Sequence, residues 1–342
     1  MLIGRNELDF HSVNSRLDRK PFLTELHKMK PRVLVTVNVP LEQLAPLKGI
    51  SEIVMPEKGH AAATRDWVLN HISTCEGVLS QGELRVDAEL LDAAPNLRIV
   101  TNASMGIDNL DRDELARRNI AACNTPDAFA ESTADQTLGL LLALTRRIVE
   151  TDRFVRTGEW ERRGMEALRW EGTMIGEKTL GLIGYGRIAK MVEQRAKAFG
   201  MRVIHTRSSE TDHPDSRPLD DLLTESDVIV VLVPLTDKTF HLIDVARIAK
   251  MKPGAFFINI ARGKVMDESA VVAALETGHL AGAAFDVFEN EPAVHPALLA
   301  MENVVLTPHI GGATREQRKR GRLEAASEVA RFLRGEELLH PV

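Results

Sequence analysis

Short runs of apolar and often β-branched residues recur along the chain, each followed by a turn signal and a helical pattern of apolar positions. The first half predicts strands over 33–37, 52–55, 77–80, 98–101 and 120–123, with helices over 64–72, 88–94 and 112–118. The second half predicts strands over 179–184, 202–206, 228–233, 255–260, 281–287 and 304–307, which are almost continuously apolar. Strands of that kind are covered on both faces, and alternation with helices indicates parallel pairing. The pattern therefore predicts an α/β protein with two doubly wound parallel sheets, one in each half.

Two longer helical patterns lie at the junctions between the halves. The first is predicted to have Ser132 as its N-cap, with Asp135 three residues further on. Its apolar face runs through Leu138, Leu141, Leu142, Thr145, Ile148 and Val149. The second starts near Thr314, with Gln317 at the capping-box position, and follows the last strand of the second sheet. Because this helix can pack back onto the first half, we predict a discontinuous domain of residues 1–128 and 312–342 around a domain of residues 129–311.

Composition narrows the class of protein. The chain has 342 residues, 44% of them apolar and 27% charged, which suits two ordinary globular domains. A net charge of −6 disfavours nucleic-acid and membrane-surface partners, and no apolar stretch approaches a membrane span. The N-terminal residues carry charge where a secretory signal needs an apolar core, and Cys75 and Cys123 cannot form a disulfide framework. These features predict a cytoplasmic protein, and no cluster has metal-ligand spacing.

The sharpest local motif is the segment 181–189, which follows an apolar strand and opens a helical pattern. In such a motif the first glycine permits a tight turn, and the second lets the backbone approach a pyrophosphate at the helix N-terminus. A glycine-rich turn without a ligand is the alternative, but this motif opens a series of six predicted strands. We therefore predict a dinucleotide cofactor, with contacts from Gly184, Tyr185, Gly186, Arg187 and Ile188.

The end of the next strand bears on the choice of cofactor. A carboxylate there would bind the ribose 2′-hydroxyl of NAD, yet the first acid is Glu210. Arg207 can pair with a 2′-phosphate through two hydrogen bonds, and Ser208 adds a hydroxyl donor. NADP(H) is therefore favoured, and NAD(H) is possible if Glu210 reaches back to the ribose.

Three downstream segments resemble the D-isomer-specific 2-hydroxyacid dehydrogenases in order and spacing: 259–263 (NIARG), 286–292 (DVFENEP) and 307–312 (TPHIGG). Segments 105–109, 233–239 and 251–254 match the same family, and the resemblance runs from about residue 31 to the C-terminus. It implies a flavodoxin-like substrate domain, a Rossmann NAD(P)-binding domain, an active site in the cleft between them, and a homodimer. The strand end that carries Arg207 is similar to that of the NADPH-using glyoxylate/hydroxypyruvate reductases of the family.

The residues in these segments suit the reduction of a 2-oxo acid. Arg262 offers a planar fork of donors for a carboxylate, and His309 can exchange a proton near neutral pH. Glu291 would pair with the imidazole, fix its tautomer and raise its pKa. The resemblance places the family's catalytic Arg, Glu and His at these three positions. It also implies that Asp286 binds the nicotinamide carboxamide and that the N–H groups of Met105 and Gly106 bind the substrate carboxylate. Further cofactor contacts are expected from Pro234, Thr239, Ile260, Ala261 and Gly311.

The predicted reaction is the reduction of a small 2-oxo acid, glyoxylate or hydroxypyruvate, to a D-2-hydroxy acid, with His309 as the proton donor. One alternative is an NAD-linked D-3-phosphoglycerate dehydrogenase, which would want a basic cluster near the substrate loop. Around residues 80–87 the sequence offers only Arg85, beside Glu83 and Asp87. A nucleotide-sensing corepressor can share the same fold and is the alternative outside enzymes.

Overall fold

A computed structural model describes residues 30–59, 61–207 and 213–342. The predicted cofactor residue Ser208, the alternative ribose ligand Glu210 and the N-terminal residues considered for a secretory signal lie outside these ranges.

The first sheet has five parallel strands in the order β2-β1-β3-β4-β5. They are β1 (Arg32–Val35), β2 (Glu52–Val54), β3 (Gly77–Ser80), β4 (Ile99–Asn102) and β5 (Ala121–Cys123). The helices between them are α1 (Arg65–His71), α2 (Ala88–Asp92) and α3 (Arg112–Arg117). Each helix begins after a capping side chain, from Thr64, Asp87 or Asp111, which accepts a hydrogen bond from a backbone N–H of the first turn. The predicted strands and helices of this half are confirmed to within two residues at each end.

Three helices connect the sheets: α4 (Ala130–Thr145), α5 (Ile148–Arg156) and α6 (Glu159–Arg163). The predicted N-cap at Ser132 is wrong, because α4 begins two residues earlier and Ser132 Oγ donates to the Phe129 carbonyl at 3.2 Å. The prediction that one apolar helix face continues through Ile148 and Val149 is also wrong, because α4 ends at Thr145. Arg147 adopts a left-handed φ of 57°, which ends one helix and redirects the chain into the next.

The second sheet has six parallel strands in the order β11-β10-β9-β8-β6-β7. They are β6 (Thr179–Ile183), β7 (Arg202–Thr206), β8 (Val228–Val231), β9 (Ala255–Asn259), β10 (Leu280–Phe285) and β11 (Val304–Leu306). The connecting helices are α7 (Arg187–Ala198), α8 (Leu219–Glu225), α9 (Val245–Ile248), α10 (Glu268–Glu276) and α11 (Pro296–Ala300). The chain passes from β6 to β7 on one side and then returns to β8 on the other, so a crevice opens beyond the carboxyl end of β6.

The last helix, α12 (Arg315–Arg334), follows the second sheet but packs against the first. Its predicted cap is confirmed, since Thr314 Oγ1 accepts the Gln317 N–H at 3.2 Å. Ala326 and Ala330 are buried on the first sheet against Val33 and Val35. Apolar clusters cover both faces of each sheet, as the nearly continuous apolar strands predict. Within the described ranges no helix is both long and apolar enough to cross a membrane.

Candidate active site

The predicted site residues that the structure describes follow the carboxyl ends of parallel strands. Met105 and Gly106 come after β4, residues 184–188 after β6, Arg207 after β7, residues 234–239 after β8, residues 260–262 after β9, Asp286 after β10 and His309 after β11. In parallel α/β sheets this edge is where ligands bind. The sequence therefore places its polar, chemically reactive loops on the ligand-binding edge of each sheet.

His309 and Glu291 form a hydrogen-bonded pair. Glu291 Oε2 lies 2.8 Å from His309 Nδ1, and Glu291 Oε1 accepts the Phe288 N–H at 3.0 Å. Because Nδ1 is engaged, Nε2 is the imidazole nitrogen available to exchange a proton in the cleft. Burial acts to raise the pKa of Glu291. The hydrogen bond and charge of His309, the Phe288 N–H and the charge of Arg262 together outweigh burial and leave that pKa below its ordinary value. Glu291 is therefore ionised near neutral pH and can stabilise an imidazolium.

Asp286 fixes the loop that carries His309. Its buried carboxylate accepts hydrogen bonds from Thr307 Oγ1 at 2.6 Å, the Ile310 N–H at 2.9 Å and the Gly311 N–H at 2.7 Å. The His309 N–H donates to the Asp286 carbonyl at 2.8 Å. The loop thus holds His309 at a left-handed φ of 51°, a conformation that is costly without such support. Asp286 and Gly311, both predicted to contact the cofactor, are hydrogen-bonded to each other in the structure.

Arg262 is held by a second buried polar residue. Asn259, the last residue of β9, donates from Nδ2 to the Arg262 carbonyl at 3.0 Å and accepts the Ala261 N–H at 3.1 Å. The guanidinium donates from Nη1 to the Ala261 carbonyl at 2.7 Å and from Nε to Asp108 Oδ1 at 2.9 Å. Ile260 is buried in an apolar cluster of the second sheet. Arg262 therefore extends from an anchored loop of the second sheet to a loop of the first.

The loop after β4 presents free backbone donors. The Met105 carbonyl accepts Asn124 Nδ2 at 2.8 Å, and the Gly106 carbonyl accepts Asn102 Nδ2 and Ser104 Oγ, each at 3.1 Å. Across the described part of the chain, the N–H groups of Met105 and Gly106 have no acceptor. Two N–H groups on an immobilised loop suit a carboxylate, so the geometry fits the predicted substrate contact.

The loop after β6 is built to receive phosphates. Gly184 has φ +101°, and a Cβ there would lie 2.9 Å from the Leu232 carbonyl oxygen, so only glycine fits the turn. The following helix, α7, begins at Arg187 with no side-chain cap and no acidic residue in its first turn. Its first N–H groups and the positive end of its dipole therefore remain available to an anion. These residues fit the pyrophosphate of a dinucleotide.

Two side chains of this loop have protein partners. Tyr185 hydroxyl donates to Glu193 Oε2 at 2.5 Å, and its ring stacks on His205 with centroids 3.5 Å apart. Burial and the Glu193 carboxylate raise the pKa of Tyr185 to about 12. Arg187 donates to the Pro126 carbonyl at 2.8 Å and forms an ion pair with Asp127. Tyr185 and Arg187 are therefore expected to contact phosphates through their backbone N–H groups rather than through their side chains.

The remaining predicted cofactor positions lie around the same crevice. Arg207 is exposed directly beyond β7. Thr239 Oγ1 donates to the Pro234 carbonyl at 2.6 Å and accepts the Thr236 N–H at 2.8 Å, so it shapes the loop after β8. Arg85, the basic residue near the first sheet's ligand edge, pairs with Asp87 at 3.4 Å.

Sequence reasoning missed the residues that hold the site together. Asn102 and Asn259 each end an apolar strand and are fully buried. An amide at the end of such a run signals a side chain that bonds the next loop, because buried polar groups need partners. Asp108 lies inside segment 105–109, which matches the family, but its partner Arg262 is 154 positions away along the chain. Among the residues that the structure describes, no group of three or more His, Cys, Asp or Glu is placed to hold a metal ion.

Comparison with known proteins agrees with this geometry. Residues 138–311 match the family model described as D-isomer specific 2-hydroxyacid dehydrogenase, NAD binding domain. The chain belongs to the D-isomer-specific 2-hydroxyacid dehydrogenase family, and it is an NAD(P)-dependent oxidoreductase of that family.

Individual relatives narrow the resemblance. The glyoxylate reductase of Thermococcus onnurineus is 42% identical over 316 residues, which cover 90% of this chain and 94% of that protein. The glyoxylate reductase of Pyrococcus furiosus is 40% identical over 319 residues, with 90% and 94% covered. The crystal structure of the NADPH-dependent glyoxylate/hydroxypyruvate reductase of Sinorhizobium meliloti, in complex with NADP and malonate, superposes with a TM-score of 0.80 at 32% identity. That similarity covers 92% of this chain and 97% of the other.

Proposed function

We propose that this protein reduces glyoxylate to glycolate and hydroxypyruvate to D-glycerate with a reduced nicotinamide dinucleotide. The observation that carries the proposal is the Glu291–His309 hydrogen bond of 2.8 Å at the same sheet edge as Arg262. That edge also opens onto the phosphate-binding loop at 184–188. The two relatives named above, 42% and 40% identical with 90% of this chain covered, are glyoxylate reductases, which supports the choice of substrate.

The residues divide the reaction between them. When bound, the reduced nicotinamide supplies the hydride that the carbonyl carbon receives. Arg262 and the N–H groups of Met105 and Gly106 bind the carboxylate and set the carbonyl in place. His309 donates a proton from Nε2 to the carbonyl oxygen, and Glu291 stabilises the imidazolium before that transfer. In the oxidative direction His309 accepts the same proton from the hydroxyl group.

The cofactor preference that we propose is NADP(H). Arg207 is exposed immediately after β7, where the ribose of a dinucleotide lies in this fold, and a guanidinium pairs well with a 2′-phosphate. The expected cofactor contacts of Asp286, Ile260, Ala261, Pro234, Thr239 and Gly311 are part of the same proposal.

The test is the loss of reduced-nicotinamide absorbance with glyoxylate and with hydroxypyruvate, each supplied with NADPH and with NADH. Turnover of either acid supports the proposed reaction, and faster turnover with NADPH supports the role of Arg207. A preference for NADH would reject that role but keep the reaction. If neither acid is reduced by a preparation that binds cofactor, the proposed reaction is wrong.

We also propose a homodimer. Large apolar side chains are exposed on the segment between α4 and β6 and on the adjacent α11, and each is at least half exposed: Ile148, Val149, Met165, Leu168, Met174 and Leu299. Several large exposed apolar side chains in one part of the chain are typical of a protein–protein interface. Light scattering should give twice the mass of the chain, and Leu168→Asp should shift it toward the monomer. A monomeric wild type would reject the dimer.

The division into domains is proposed on packing. α4 packs on the second sheet and α12 on the first, which supports a substrate domain of residues 1–128 and 312–342 and a cofactor domain of residues 129–311. A cytoplasmic location is proposed as well, and the two buried free thiols, Cys75 and Cys123, suit a reducing compartment.

A further inference from the structure

Arg262 is bonded to the opposite side of the cleft. Its Nε donates to Asp108 Oδ1 at 2.9 Å, although Arg262 follows a strand of the second sheet and Asp108 follows a strand of the first. This ion pair joins the two loops that the proposed function assigns to the substrate carboxylate.

The nitrogen atoms of the Arg262 guanidinium have different partners. Nη1 is bonded to the Ala261 carbonyl at 2.7 Å, so one end of the fork is held by its own loop and the Nε edge by Asp108. Nη2 has no acceptor among the described residues and lies against Gly106, where a Cβ would overlap it. The absent side chain of Gly106 thus gives Nη2 a position beside the backbone N–H groups that we assign to the carboxylate.

We propose that Asp108 is a positioning residue that orients Arg262 so that Nη2 and the N–H groups of Met105 and Gly106 converge on one carboxylate. This inference rests on the proposed function. Arginine is long and flexible, and an anionic partner at Nε restricts it to one rotamer before the substrate arrives. Preorganisation of this kind removes an ordering cost from substrate binding.

Electrostatic repulsion between Asp108 and a bound carboxylate would change binding in the opposite direction. Asp108 is an anion close to a site for an anion, and simple repulsion would make its removal strengthen the binding of a carboxylate. Positioning predicts that the same removal weakens binding and slows turnover. The two effects are therefore separable by the direction of the change.

The experiment compares Asp108→Ala and Asp108→Asn with the wild type. Asp113→Asn, which changes an exposed acid on the following helix, is the matched control. The readouts are kcat and KM for glyoxylate, the Kd of NADPH, and the Kd of oxamate measured by calorimetry with NADPH present. Oxamate is an amide isostere of a 2-oxo acid and accepts no hydride, so its binding reports on the carboxylate site without turnover.

We expect Asp108→Ala to lower kcat/KM and to weaken oxamate binding by about 10- to 100-fold, the usual effect of losing a hydrogen bond between charged groups. Asp108→Asn should recover part of both losses, because the amide oxygen still accepts the Nε hydrogen. The Kd of NADPH should stay within about twofold of the wild type in every variant, since a general structural defect would change it. The control should match the wild type.

Three results would overturn the inference: unchanged oxamate binding in Asp108→Ala, tighter oxamate binding in either variant, or no recovery in Asp108→Asn. The proposed function fails separately. A wild type that binds oxamate in an Asp108-dependent manner but reduces no 2-oxo acid would reject the reaction and keep the positioning role.

Discussion

The two lateral ends of the second sheet, one formed by β9, β10 and β11 and the other by β7, hold their functional residues in different ways. Beyond β9, β10 and β11, the buried residues Asn259 and Asp286 bond the loops that carry Arg262 and His309. Beyond β7, at the edge of the sheet, Arg207 is exposed to solvent. The groups assigned to the chemistry are thus fixed before substrate binds, whereas the group assigned to cofactor choice can be exchanged without disturbing a core. Substitutions at the first end should change rate, and those at the second should change selectivity.

The largest effect is expected at His309. His309→Ala should lower kcat for glyoxylate by about 10²- to 10⁴-fold, because it removes the proposed proton donor. The Kd of NADPH should change little, since the loop after β6, which we propose to bind the cofactor phosphates, is untouched. Steady-state rates and cofactor fluorescence titration measure the two quantities, and His340→Ala serves as a control histidine. Near-normal turnover in His309→Ala would contradict the claim that residues at the β9–β11 end of the sheet determine the rate.

The next largest effect is expected at Asp286. Asp286→Asn replaces one acceptor oxygen with an amide donor, so at least one buried N–H or O–H of the 307–311 loop loses its partner. An unpaired buried group costs about 1–3 kcal/mol, which we expect to see in the free energy of unfolding by denaturant titration. The rate should fall as well, by about 10-fold or more, because His309 is no longer held in place. A variant with wild-type stability would show that the loop does not depend on this carboxylate.

A substitution at the opposite end should alter selectivity alone. Arg207→Ala is expected to lower kcat/KM for NADPH by about 10- to 100-fold, since the proposed charged hydrogen bond to the 2′-phosphate is lost. The value for NADH should stay within about twofold. Arg202→Ala, at the other end of β7, where the side chain pairs with Glu225, is the matched control. Equal losses with both cofactors would mean that Arg207 acts on the fold or on the common part of the dinucleotide.

The smallest effect concerns pH. The folded protein lowers the pKa of Glu291 below its ordinary value of 4.5, so the unfolded chain binds more protons between the two values and stability rises with pH there. The contribution is therefore complete above pH 4.5 and is lost as pH falls through the lowered pKa. Glu291 is partly exposed, so we expect less than about 1 kcal/mol. Denaturant titrations of wild type and Glu291→Gln should converge in acid, and a constant difference between them would contradict this assignment.

Sequence patterns predicted the elements of both sheets well, because each strand is an apolar run bounded by turn residues. They failed where side-chain hydrogen bonds and a left-handed backbone, which the apolar spacing does not record, set the ends of the helices. The helix breaks at Arg147 because the backbone there is left-handed, and the Arg147 guanidinium pairs with Glu150 at 2.7 Å. The apolar spacing continues through this break unchanged. The start of α4 was misplaced because Ser132 bonds within the first turn instead of capping it. Family motifs predicted roles for Arg262, Glu291 and His309, but they assigned none to Asp108, since its partner follows a strand of the other sheet.

The most direct test of the account is the configuration of the product. Hydroxypyruvate and NADPH are incubated with the wild type and with His309→Ala, and the glycerate is resolved by chiral chromatography. We predict D-glycerate alone from the wild type and at least 10²-fold less of it from the variant in the same time. L-glycerate, a racemic product, or equal formation by the variant would contradict the assignment of Arg262, Glu291 and His309 to this reaction.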